Sequence, residues 1–150
     1  MGLRLMHETD LKQVLSIEQQ TYPFPWSYAG FVRLLDQGMA FVLEDEIHSD
    51  KVLGYACLHN IVDEVELMNF CITPEVRGQG IGQRFLHSLI ERLQESKYEK
   101  IFLEVRCGNL SARHLYQKLG FEKDGVRKNY YRNQDGSKED ALLMSLSLQS

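Results

Sequence analysis

Along this chain the spacing of apolar residues changes several times, and each change marks an element. Leu11, Val14 and Leu15 recur at helical spacing after Thr9, a residue type that caps helices, and Tyr22-Pro23-Phe24-Pro25 ends the run. This pattern predicts a helix over 10–20. A second helix starts after Ser27 and turns Phe31, Leu34 and Leu35 inward. Residues 39–43 and 52–59 are short apolar, β-branched or aromatic runs separated by polar residues, the pattern of an antiparallel hairpin. A third strand over 65–72 runs into the turn Thr73-Pro74.

Helical spacing returns from Gly82 onward with Phe85, Leu86, Leu89, Ile90 and Leu93, and residues 100–106 then read as a buried strand. Strand, glycine turn, helix and strand make a βαβ unit, whose right-handed crossover sets its two strands parallel. A helix over 109–119 carries Ala112, Leu115, Tyr116 and Leu119 on one face, and Gly120 stands where a left-handed C-cap glycine belongs. Two last strands, near 126–132 and 141–148, flank the turn Asn133-Gln134-Asp135-Gly136. The expected fold is α/β, in the α+β three-layer sense. It has a mixed, mostly antiparallel sheet with a central parallel βαβ unit and helices on both faces.

The 150 residues suit one compact domain spanning 1–150, large enough to fold without disulfide staples. With 43% hydrophobic and 25% charged residues, the composition suggests neither disorder nor a membrane span. The first eight residues hold no signal-type apolar run, and Met6 stands where a myristoylation motif needs Ser or Thr, so the expected location is cytoplasmic. Cys57, Cys71 and Cys107 are odd in number and widely spaced, and the five histidines (7, 48, 59, 87 and 114) show no ligand spacing. Neither a disulfide framework nor a metal site is expected. A net charge of −4 argues against a broad nucleic-acid-binding face, although a local basic patch at Arg77 and Arg84 or at Arg127-Lys128 stays open.

The segment Arg77-Gly78-Gln79-Gly80-Ile81-Gly82, followed by Gln83, joins a strand to a helix. Glycines there let a phosphate approach the unpaired N–H groups and partial positive charge of a helix N-terminus. The Gly-Lys-Ser/Thr of a P-loop is absent. A dinucleotide turn starting at Gly78 and Gly80 would need a sixth-position glycine where Gln83 stands, although Glu104 falls about where its ribose-binding acid belongs. From the turn alone, a dinucleotide site and a purely structural connection both stay open.

The turn and the motifs after it together resemble the RimI-type N-terminal acetyltransferases of the GNAT superfamily. The likeness rests on Arg77-x-x-Gly80-x-Gly82, Leu103-Glu104-Val105-Arg106, Asn109, Leu115-Tyr116-x-x-x-Gly120-Phe121, Arg127-x-Asn129-Tyr130-Tyr131 and Glu139-Asp140-Ala141-Leu142-Leu143-Met144, with Phe24-Pro25-Trp26-Ser27 near the start. Position 108 departs from the pattern, holding Gly where relatives often have Ser. The resemblance implies that acetyl-CoA lays its pyrophosphate on the amides of residues 77–83 and its pantetheine arm along Phe70, Cys71 and Ile72, with Asn109 also touching the cofactor. It implies that Glu104 accepts a proton, that Tyr116 donates one to the departing thiolate, and that Tyr130 and Tyr131 line a peptide groove opposite 23–26.

Each of these residues also has a plainer reading. Glu104 could pair with Arg106 on the same strand face, Tyr116 could pack in the core, Asn109 could cap its helix, and the tyrosine pair could cover a sheet edge. Cys71 as a nucleophile lacks a partner base in the sequence. The implied acceptor is the N-terminal alanine of the eighteenth protein of the small ribosomal subunit. An α-amine of pKa about 8 is easier to neutralise than lysine at about 10.4, by roughly 3 kcal/mol, which suits a single carboxylate base. Lysine or small-amine acetylation, and acyl-CoA sensing or partner docking without catalysis, are the alternatives.

Overall fold

The computed structural model describes residues 2–149. In chain order its elements are β1 (Gly2–Leu5), α1 (Leu11–Thr21), α2 (Tyr28–Gln37), β2 (Ala40–Glu44), β3 (Val52–Ile61), β4 (Glu64–Ile72), α3 (Ile81–Glu95), β5 (Lys100–Arg106), α4 (Leu110–Lys118), β6 (Glu122–Arg132) and β7 (Lys138–Ser147). The strands hydrogen-bond in the order β1-β2-β3-β4-β5-β7-β6. β4 and β5 run parallel, while β1–β2, β2–β3, β5–β7 and β6–β7 are antiparallel, so the mixed α/β fold is as expected. No helix among the described residues is long and apolar enough to cross a membrane. The chain divides into two compact units, one running to His59 and including Met68–Leu89, the other made of Asn60–Leu67 and the chain from Ile90 onward.

In the first unit, Leu11, Val14 and Ile17 of α1 and Phe31 and Leu34 of α2 pack on Val42, Tyr55, Cys57 and Cys71. Leu35, expected inward, is only partly buried against this cluster. Ser27 caps α2 by accepting the Gly30 N–H at 3.2 Å, an interaction worth about 1 kcal/mol. Thr9 does not cap α1. It lies inside a 3₁₀ turn, Glu8–Asp10, in which the Asp10 carboxylate takes the His7 N–H at 2.7 Å and two hydrogen bonds from Arg4 at 2.8 and 2.9 Å. Strand β1 had no counterpart in the sequence reading; it pairs from Gly2↔Glu44 to Leu5↔Phe41.

In the second unit, β5 alternates buried Ile101, Leu103 and Val105 with half-buried Phe102, Glu104 and Arg106, the period-two signature of a strand. It pairs with β4 from Glu64↔Lys100 to Glu66↔Phe102 and with β7 along its length. α4 ends in a Schellman motif: Gly120, at φ 100°, donates to the Gln117 carbonyl and Phe121 donates to that of Tyr116, both at 3.0 Å. β6 begins four residues earlier than the sequence suggested and is exposed along most of its length, as an edge strand is.

Candidate active site

The glycine turn belongs to the first unit. Arg77, Gly78, Gln79 and Gly80 are all exposed, while Gly82 and Gln83 are half-buried in the first turn of α3 and Ile81 is buried. Gly78 and Gly80 have φ values of 81° and 76°, and a Cβ on either would meet no atom within 4 Å. Backbone conformation, not crowding, therefore requires glycine here. The first α-helical bond of α3 runs from the Arg84 N–H to the Gly80 carbonyl, 3.3 Å. The amides of Ile81, Gly82 and Gln83 thus precede any intrahelical partner and suit an anion.

Just before the turn, the Thr73 N–H donates to the Leu53 carbonyl at 2.8 Å, so backbone groups of Thr73 and, two residues back, Cys71 face β3. Gly54 permits this approach, since a Cβ there would stand 2.7 Å from the Cys71 carbonyl oxygen. The backbone of Phe70 and Ile72 points the other way. Their carbonyls accept from the Tyr22 hydroxyl at 3.2 Å and from Arg77 Nε at 2.9 Å. The Phe70 ring stacks on Phe85, with centroids 5.2 Å apart. Arg77 also donates from Nη2 to Thr21 Oγ1 at 2.9 Å and lies 3.7 Å from Cys71 Sγ. A hydroxyl, a carbonyl and a guanidinium thus surround the Cys71 thiol, and none of them is a base that could activate it.

The second unit gathers Glu104, Tyr130 and Tyr131. Against β7, Arg127 pairs with Ala141 and Tyr131 with Glu139, so residues 128–130 of β6 span the single residue Asp140. This bulge turns through Asn129 at φ 52°, a conformation that Asn tolerates better than most residues. Asp140 holds it, taking the Asn129 N–H at 2.9 Å and Lys128 Nζ at 3.4 Å. These hydrogen bonds, the Asn129 N–H first, hold the Asp140 carboxyl below its ordinary pKa. Bulges of this kind re-aim side chains. Here the bulge carries Tyr130 to Glu104, whose charge, together with burial and a hydrogen bond, raises the Tyr130 phenol. The two tyrosine rings meet edge to face at 5.1 Å. Burial, then the Glu104 charge, pushes Tyr131 up to about 12.

Glu104 pairs with a residue that the sequence reading did not consider for it. Arg127 Nη2 lies 3.1 Å from Glu104 Oε1, with the guanidinium carbon 4.8 Å from the Tyr130 ring centroid. Arg106, the partner of the plainer reading, instead turns to Asn133 Oδ1 at 2.9 Å and Glu139 Oε1 at 3.3 Å, and stacks over Tyr131. Glu139 also takes the Gly108 N–H at 2.7 Å, and a Cβ at position 108 would stand 2.7 Å from that same carboxylate oxygen.

Tyr116 is 7% exposed, with its ring 5.5 Å from that of Phe121 in the Schellman contact. Burial, and secondarily Tyr131, raise its phenol well above the ordinary value. Asn109 does cap α4, its Oδ1 accepting the Ala112 N–H at 3.2 Å. No group of three or more His, Cys, Asp or Glu side chains able to hold a metal ion occurs among the described residues.

Comparison with known proteins gives the family of the chain. The family model described as "Acetyltransferase (GNAT) family" matches residues 11–121. The ribosomal protein bS18-alanine N-acetyltransferase of Haemophilus influenzae is 36% identical over 139 residues, 93% of each chain. The Escherichia coli enzyme of the same name is 34% identical over 143 residues, 95% of each chain. The crystal structure of the ribosomal-protein-S18-alanine N-acetyltransferase from Escherichia coli superposes with a TM-score of 0.88 at 34% identity, covering 99% of this chain and 94% of the other.

Proposed function

We infer the activity from one premise: this chain belongs to the acetyltransferase (GNAT) family. The reaction it supports is transfer of an acetyl group from acetyl-CoA to the α-amine of a protein N-terminus. The acceptor suggested by its relatives' shared name is the N-terminal alanine of ribosomal protein bS18. A single domain over 1–150 acts in the cytoplasm, with no metal and no direct contact with nucleic acid or membrane.

The exposed, left-handed turn at Gly78 and Gly80 fits a diphosphate, which the amides of residues 77–83 would hold. The amides of Phe70 and Ile72 supply the strand-edge donors for the pantetheine arm, with Cys71 between them as a core residue. Asn109 commits Oδ1 to its cap, so its cofactor contact comes from Nδ2. Acetyl-CoA supplies an activated thioester. The acceptor nitrogen attacks its carbonyl carbon directly, so that a C–N bond forms as the C–S bond breaks. Glu104 takes the proton from the amine, and Tyr116 donates toward the departing sulfur. Tyr130 and Tyr131 flank the carboxylate and contact the incoming peptide.

The observation that carries this reading is the convergence of Tyr130 and Tyr131 on Glu104, built by the bulge at Asn129. Mass spectrometry of a peptide library incubated with acetyl-CoA tests it. The expected product is acetylated at free N-termini, with alanine-first peptides preferred. Acetylation confined to lysine in N-terminally blocked peptides would overturn the acceptor, and cofactor binding without CoA release would overturn the enzyme.

A further inference from the structure

The first unit buries a carboxylate that the proposed chemistry does not use. Glu18, in the last turn of α1, is 1% exposed. Its Oε1 accepts from the Tyr55 hydroxyl at 2.6 Å and Asn69 Nδ2 at 2.8 Å, and its Oε2 accepts the Trp26 N–H at 2.9 Å. Burying a carboxylate is costly, and the negative end of a helix dipole adds to the cost. A residue needed only for packing here would be apolar. What the charge uniquely supplies is an acceptor on each oxygen, joining β3 and β4 on one side to the backbone of the 22–27 segment on the other.

That segment forms a wall. Trp26, with its ring 5.4 Å from Phe31, lines a groove of about 500 Å³ together with Leu34, His59 and Met68. We propose that Glu18 is a positioning residue for acceptor recognition: by holding the Trp26 amide it fixes the wall against which the acceptor peptide lies. The proposal rests on the peptide-acceptor reading above, in which residues 23–26 line the path of the acceptor.

Glu18→Gln tests it, with Tyr55→Phe beside it. The glutamine amide keeps one oxygen for Tyr55 and Asn69 but turns an NH₂ toward the Trp26 N–H, setting donor against donor. Tyr55→Phe removes a donor from Oε1 and leaves the Trp26 bond intact. Losing a charge-assisted hydrogen bond predicts an approximately tenfold rise in KM for an alanine-first peptide in Glu18→Gln, with kcat and acetyl-CoA affinity each within about twofold of the parent. Trp26 is the sole tryptophan, so intrinsic fluorescence reports the wall directly. In Glu18→Gln the emission shifts to the red and acrylamide quenching rises. Tyr55→Phe lowers the melting temperature but keeps the parent KM and emission.

Unchanged KM and emission in Glu18→Gln, or an equal KM rise in Tyr55→Phe, overturns the positioning role. Failure of the acceptor reading shows separately, in an unsubstituted protein that acetylates no peptide, and it takes the recognition role down with it.

Discussion

Gly80→Ala separates what the glycine turn does for folding from what it does for the cofactor. Gly80 sits at φ 76° with nothing within 4 Å of the position a Cβ would take, so alanine adds no clash. The cost is left-handed backbone strain alone, about 1–2 kcal/mol. For a chain of this length each kcal/mol lowers Tm by roughly 2–4 °C, giving a fall of roughly 2–8 °C. The chain relieves the strain by rotating the peptide planes that lead into α3. If the amides of Ile81, Gly82 and Gln83 grip the pyrophosphate, the part of the strain relieved in this way is missing from the Tm loss and is repaid on binding, weakening acetyl-CoA binding by up to roughly 30-fold. Gly136→Ala is the matched control: at φ 89° in the turn between β6 and β7, also with nothing within 4 Å, it carries similar strain. Calorimetric titration with acetyl-CoA and thermal melts on both variants make the comparison. Similar Tm losses with unchanged acetyl-CoA affinity in Gly80→Ala would refute the cradle and leave the turn a structural connection.

Three further outcomes follow from the same geometry. Glu104→Gln lowers kcat by roughly 10²–10⁴-fold and leaves acetyl-CoA affinity nearly intact; steady-state rates beside direct binding check both. Tyr116→Phe keeps the packing on Phe121 and cuts turnover with little change in either substrate's binding. Because burial raises the Tyr116 phenol, the variant lowers the plateau of the pH–rate profile without moving its limbs below about pH 10. At Asp10, burial raises the pKa, but the Arg4 hydrogen bonds, the His7 N–H and the Arg4 charge outweigh it, so the folded value lies below the ordinary 3.8. Its contribution is present above pH 3.8 and lost as pH falls through the folded value, so Asp10→Asn flattens stability loss below about pH 4 in acid melts.

What the sequence revealed and what it hid divide by distance along the chain. Ser27, Asn109 and Gly120 were readable as caps because a cap is chemistry between residues two to four apart. β5 was readable because three buried residues alternate with four half-buried ones. β1 was not, since its four residues are defined by pairing with β2, about 40 residues later, and its Arg4 by Asp10 and Glu44. The start of β6 was hidden for another reason: residues 122–124 are all exposed, so no alternation marks them. Glu104 and the two tyrosines were visible as types, but their meeting depends on a bulge whose register only pairing with β7 defines. The Glu104–Arg106 pair of the plainer reading shows the same limit. Same-face neighbours along a strand stand about 6.6 Å apart, and Arg106 turns to Asn133 and Glu139 instead. Arg127 reaches Glu104 with its long side chain from β6, across the intervening β7, a meeting that only the strand order defines.

The two groups assigned to proton transfer are held in opposite ways, and the contrast bears on the order of events. Tyr116 is buried and its phenol is raised, so it stays protonated throughout the neutral range and always has a proton to donate. The Glu104 side chain is 18% exposed, and its partner Arg127 is 53% exposed. An ion pair this open to water is weak and exchanges readily. If Glu104 is the base proposed above, its carboxylate and the Tyr130 ring would form a cation site that Arg127, whose guanidinium also lies over that ring, would hold until an acceptor arrives. On that proposal an acceptor α-amine, largely ammonium near neutral pH, would replace the guanidinium and present its proton to Glu104 before attack. Turnover below saturation then rises with pH toward the amine pKa of about 8. Removing the competing cation by Arg127→Ala lowers KM for the peptide. A KM that instead rises in that variant means Arg127 contacts the acceptor and does not hold its place.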